Sequence, residues 1–164
     1  MSFFVCKTKI KNLLSQVSVV KVLINRGASI NSKTGSGLTP LLLATACLTE
    51  RYPVFDALLT AGAKCDCRSP QGKSEPNSAV STFFEGTTPL MDVCGRQFDP
   101  ETEKLVALLL FNKANTYLKD AKGRDAVDYA EMVGNFECVK LIKQLREHIA
   151  REESKENLPM DKYS

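Results

Sequence analysis

The stretch Gly86-Thr87-Thr88-Pro89-Leu90-Met91-Asp92-Val93-Cys94 reads as a sharp turn running straight into a helix. Thr88 is placed to cap the helix. Pro89 takes its first position, where a missing N–H is harmless. A near-copy lies upstream at Gly37-Leu38-Thr39-Pro40-Leu41-Leu42-Leu43-Ala44, and a degraded copy downstream at Gly123-Arg124-Asp125-Ala126-Val127-Asp128-Tyr129-Ala130. Three related phrases in one short chain indicate an internal repeat.

Each phrase belongs to a longer unit. Apolar stripes at helical spacing end at Gly27-Ala28, at Gly62-Ala63 and at Lys113-Ala114, which suits a left-handed helix stop. Gly27 to Gly62 is 35 residues, Gly62 to Lys113 is 51, and Gly86 to Gly123 is 37. One period of about 33 residues accommodates all three intervals if extra residues are inserted. The insertions fall at 72–85, with smaller ones at 96–102 and 48–53.

The period, the G-x-T-P-L-x-x-A phrase and the L-L-x-x-G-A ending resemble the ankyrin-repeat family over about residues 17–145. There are departures. Leu42 and Met91 stand where that family usually has histidine, Lys113 replaces a glycine, and Asp125-Ala126 replaces Thr-Pro. These changes are expected to loosen individual hydrogen bonds and leave the helical stripes intact. The resemblance implies an all-α fold, an ankyrin-repeat solenoid of stacked helix-turn-helix units joined by short hairpin turns. One domain is expected over 1–150. It divides into a divergent N-terminal cap repeat at 1–33, repeats at about 34–66 and 67–118, and a C-terminal cap repeat at 119–150. Phe3, Phe4, Ile10, Leu13 and Leu14 are expected to cover one end of the core. Residues 151–164, rich in Glu and interrupted by Pro159, read as a disordered tail.

Composition bounds the function. The chain has 164 residues, 43% hydrophobic and 25% charged, ordinary for one globular domain. No apolar run approaches a membrane span, and the N-terminus lacks the pattern of a secretory signal. No membrane partner is expected, and the cytoplasm or nucleus is the expected compartment. The six cysteines read as free, mostly buried thiols in a reducing environment. Cys65-x-Cys67 with the single histidine, His148, is too little for zinc, so no metal and no cofactor are expected. Charge is uneven: residues 1–49 carry six cations and no acid, within a net charge of +3. These lysines alternate with apolar residues and do not cluster, which favours a solvated basic end over an acid-binding patch. There is no nucleic-acid recognition motif.

Nothing assembles an active site. His148 is far in sequence from any nucleophile, there is no phosphate-cradling loop, and Asp92 and Asp128 fall on the first helices of different repeats. The chain is therefore expected not to be an enzyme. It is expected to act as a monomeric interaction module or adaptor for another protein. Alternatives are a competitive inhibitor of a kinase or other enzyme, and a structural spacer within a larger protein. In the family it resembles, turn tips and first helices do the binding. Carried over by position, the turn candidates are Lys33, Ser36, Leu38, Arg68, Thr87, Lys122 and Arg124. Those on first helices are Cys47, Arg96 and Met132. Within the long insertion, Phe83, Phe84 and Glu85 are added, because two adjacent aromatics in a polar loop suit an interface anchor.

Overall fold

A computed structural model describes residues 17–46, 51–70, 86–96 and 101–156. Among them are α1 (Val17–Asn25), α2 (Pro40–Thr45), α3 (Arg51–Thr60), α4 (Pro89–Cys94), α5 (Thr102–Phe111), α6 (Ala126–Met132) and α7 (Phe136–Glu156), with no strand. The all-α expectation is met among the described residues.

The helices pack as two rows. The short helices α2, α4 and α6 follow one another, α2 on α4 and α4 on α6. The longer helices α1, α3, α5 and α7 form the second row in the same order. Rungs join the rows at α2 with α3, α4 with α5, and α6 with α7. One apolar cluster runs through both, from Val20 in α1 through Phe55, Met91 and Leu105 to Ile142 in α7.

Local chemistry starts each short helix at the expected place. Thr39 and Thr88 hold extended backbone, and their hydroxyls accept from the N–H of Leu42 and Met91. Pro40 and Pro89 follow at the first helical position. The third phrase corrects an expectation. Asp125-Ala126 in place of Thr-Pro does not loosen this cap, and Asp125 makes the most complete cap of the three. Its carboxylate accepts from the N–H groups of Val127 and Asp128, while the Asp128 carboxylate accepts from the Asp125 N–H. A carboxylate carries full charge toward the positive helix end, which a hydroxyl lacks.

Helix stops are equally regular. After α1, the Gly27 N–H donates to the Ile24 carbonyl and the Ala28 N–H to that of Leu23. The same pair of bonds recurs at Gly62-Ala63, at Lys113-Ala114 and at Gly134-Asn135. This double bond is the left-handed helix stop. Lys113 adopts it at φ 62° without being glycine, so it carries the strain a side chain meets there.

One boundary moves. The tail was expected from residue 151, but α7 continues to Glu156. Its last turns are built from good helix formers. They also gain an Arg151–Glu147 ion pair at 3.6 Å and a Ser154 Oγ bond to the Ala150 carbonyl. Residues 157–164, the cap expected at 1–16 and the insertion at 72–85 lie outside the described residues.

Candidate functional site

The turns between the long and short helices close on one shared bond. The Thr34 N–H donates to the Leu38 carbonyl, the Ser69 N–H to that of Thr87, and the Asp120 N–H to that of Arg124. Three residues lie between the bonded pair in the first and third closures. In the second, the long insertion leaves and returns between Ser69 and Thr87, and the bond forms regardless. The Ser69 and Thr87 hydroxyls reinforce it, lying 3.0 Å apart, with the Thr87 N–H donating to the Ser69 hydroxyl at 2.8 Å. The base of the insertion is thus clamped to the same geometry as a short turn.

The three turns abut. A Cβ built on Gly37 would come within 3.3 Å of Pro70, and one on Gly86 within 3.3 Å of the Ala121 nitrogen. Arg68 Nη1 donates to the Lys119 carbonyl at 2.6 Å and to the Gly86 carbonyl at 3.4 Å. Lower down, Asn31 bonds to the Gly62 carbonyl and the Lys64 N–H, and Asp66 accepts from the Asn115 N–H. Successive units are therefore stitched by polar side chains at matching positions.

The sequence candidates separate on this frame. Lys33, Arg68 and Lys122 are exposed on the turns. Ser36 is half-buried, its hydroxyl tied to that of Thr34 at 2.8 Å. Met132 is 62% exposed at the end of α6. Arg96 is half-buried and lies 3.7 Å from Asp92. Two candidates are corrected. Leu38 is buried with Leu42 against Leu43 and Cys67, and Thr87 is buried in its bonds to Ser69. Both sit where the turn enters the short helix, and the entering backbone carries them inward, out of a partner's reach. Cys47, Phe83, Phe84 and Glu85 lie outside the described residues.

Arg124 is committed elsewhere. Its Nε and Nη2 donate to the Asp120 carboxylate at 2.9 and 2.7 Å, and its guanidinium lies 4.7 Å from the Tyr129 ring centre. The Tyr129 hydroxyl and the N–H groups of Lys122 and Arg124 also donate to Asp120. Burial alone would push this carboxyl up, but the bonds win and hold it at about 2. Burial, together with the bond to this carboxylate, pushes the Tyr129 hydroxyl above its usual range.

Sequence reasoning missed this network and a second beside it. Arg146 of α7 reaches the Asp125 carboxylate at 2.9 Å, the Thr116 hydroxyl and the Thr116 carbonyl, and stacks on Tyr117 at 4.5 Å. No periodic signal marks a partner twenty residues away. The only clue was Asp125 itself, an acid at a cap position.

Asp92 behaves differently. It sits on α4 and accepts from the Thr45 hydroxyl of α2, and burial pushes its carboxyl up. Asp128 is exposed and spent on its cap. The two carboxylates that could have worked as acid and base serve separate local bonds. His148 is exposed on α7.

Among the described residues the thiols are Cys65, Cys94 and Cys138, all buried, and half-buried Cys67, and these four are free. Cys94 and Cys138 share a hydrogen bond, which with burial pushes the Cys94 thiol up. Burial raises Cys65 to about 11. Among the described residues, no group of three or more His, Cys, Asp or Glu side chains could hold a metal ion, and no helix is long and apolar enough to cross a membrane. The chain matches no protein-family model and no curated protein.

Proposed function

We propose that this chain is a small ankyrin-like repeat protein. In this reading it holds another protein along its turn edge and its row of short helices, as a monomer in the cytoplasm or nucleus, and performs no reaction itself. The observation that carries the reading is the recurrence of one unit: a threonine or aspartate cap, a short helix, a longer helix, the same double-bonded stop and the same turn closure. Two rows of helices joined by such units make a solenoid, whose short-helix side and turns form one continuous concave surface. Side chains there can change without disturbing the core, so that surface is free to specialise.

Met132 and Lys122 stand exposed on it, while the core residues behind them are buried. The test is site-specific photocrosslinking in cell extract. A photoreactive residue at Lys33, Lys122 or Met132 should give adducts with a partner protein. The same residue at Asp56 or Lys140, exposed on the long-helix row, should give none. Adducts confined to Asp56 and Lys140 would overturn the reading.

A further inference from the structure

Among the described residues, the exposed charges are sorted by structural element. On the described turn segments, 26–39, 61–70, 86–88 and 112–125, seven cations are exposed against one exposed acid, Asp66. On the helices, as far as residue 154, the balance reverses: eight exposed acids against five exposed cations. Along the chain the positive charge looked like a property of the N-terminal end. Among the described residues of the folded molecule it follows the turns.

Three of the turn cations hold one structural position. Lys33, Arg68 and Lys119 each immediately precede the residue whose N–H closes the turn: Thr34, Ser69 and Asp120. All three are exposed, and the abutting turns set them side by side. Lys122 adds a fourth charge at the tip of the third turn. Among the described residues, the acids on this edge are mostly spent. Asp120 is enclosed by Arg124 and Tyr129, Asp125 pairs with Arg146, and Asp66 accepts from the Asn115 N–H.

We propose that this edge binds an extended acidic peptide segment of a protein partner, whose carboxylates meet Lys33, Arg68 and Lys119. The proposal rests on the protein-binding reading above and names the chemistry of the partner. Packed helices lie about 8–10 Å apart, so repeat-equivalent residues recur at roughly that interval. An extended chain of the polyproline-II type advances about 3.1 Å per residue with three residues per turn, which sets carboxylates three residues apart on one face and in register with the cations. Arg68 also offers a fork. Both of its bonds to the turns use Nη1, which leaves Nε and Nη2 for a carboxylate. A single-stranded nucleic acid is the weaker fit, because it needs open aromatic faces as well as cations. Among the described turn residues the single aromatic is Tyr117, and Arg146 stacks on its ring at 4.5 Å.

The test is fluorescence anisotropy on the full chain with three labelled probes. These are a peptide with glutamates at every third position, the same peptide with lysines in their place, and a single-stranded oligonucleotide of matching charge. The glutamate peptide should bind tightest, with affinity falling about tenfold or more between low and physiological salt. The double variant K33E/K119E should weaken it about tenfold with an unchanged melting temperature, since both side chains are exposed and outside any ion pair among the described residues. K140E, on the long-helix row, should leave binding as it was. Tighter binding of the oligonucleotide, or full affinity in K33E/K119E, overturns the proposal. Preference for the lysine peptide, lost on changing the turns, overturns the acidic assignment and leaves the protein-binding reading standing. Failure of all three probes overturns the proposal alone, since the crosslinking test decides the broader reading separately.

Discussion

Asp120 and Asp92 are both buried carboxylates beside an arginine four residues on, and they behave oppositely. Asp120 accepts from two backbone N–H groups, a tyrosine hydroxyl and a two-pronged guanidinium, and is held at about 2. Asp92 accepts from one threonine hydroxyl, with Arg96 only at 3.7 Å, and burial raises it. The sequence spacing is the same in both. The difference lies in how many donors surround each carboxylate: the turn gives Asp120 two backbone N–H groups, whereas Asp92 accepts from the Thr45 hydroxyl.

The largest expected effect tests the stronger half of that contrast. Asp120→Ala would leave the Tyr129 hydroxyl and the Arg124 guanidinium without their acceptor, at a loss of about 3 kcal/mol by urea unfolding. A loss below about 1 kcal/mol would show that water replaces the carboxylate at no penalty. The pH dependence follows the same sign. Asp120 is depressed on folding, so its contribution is present above the ordinary carboxylate range and is lost as pH falls toward about 2.

Gly95→Ala is next. A Cβ there would meet Tyr129 Cδ1 at 3.0 Å, and Tyr129 is pinned through its hydroxyl to Asp120. A destabilisation of about 1–3 kcal/mol is expected. It should shrink when Asp120→Ala has already freed the ring, a coupling that a double-mutant cycle would measure. Thr88→Ala, which removes a hydroxyl cap, should cost about 1 kcal/mol. Asp125→Ala should cost more, because it also strands Arg146. Equal losses at the two positions would remove the distinction drawn between the caps.

Lys113→Gly should raise stability by roughly 0.5–1 kcal/mol, by relieving the positive φ that glycine accepts freely. The smallest effect belongs to Asp92→Asn. It replaces a carboxyl that folding pushes toward its neutral form, so stability at neutral pH should change little or rise. Asp92 is raised on folding, so its contribution is fully present at low pH and is lost as pH rises through its elevated value. A drop on Asp92→Asn comparable to that of Asp120→Ala would erase the comparison. Thermal melts from pH 3 to 8 would show the two slopes with opposite sign.

Much of the frame was legible in the chain. Thr88-Pro89 and Thr39-Pro40 announced helix starts because a capping hydroxyl and a ring without an N–H suit only that place. Gly27 and Gly62 announced stops because a left-handed residue after an apolar stripe has few other uses. The helical identity of 151–156 was missed because charge-rich sequence reads as tail, although (i, i+4) pairing and high helix propensity carry it onward. The candidate surface was legible only in part. Turn position was readable, but Leu38 and Thr87 point inward, Arg124 is consumed by Asp120, and Arg146 arrives from α7.

The sequence by itself determined where the short helices begin and where α1, α3 and α5 stop, because those signals depend on backbone groups within a few residues of one another. Only the tertiary structure decided which charges are spent and which stand free. That outcome depends on side chains meeting across units, where Asp120 finds Tyr129, Asp125 finds Arg146, and Lys33 and Lys119 find no acid among the described residues. The Gly86 phrase illustrates both levels. Its helix start is local chemistry, whereas its place beside Ala121 and under Arg68 exists only because three turns fold against one another.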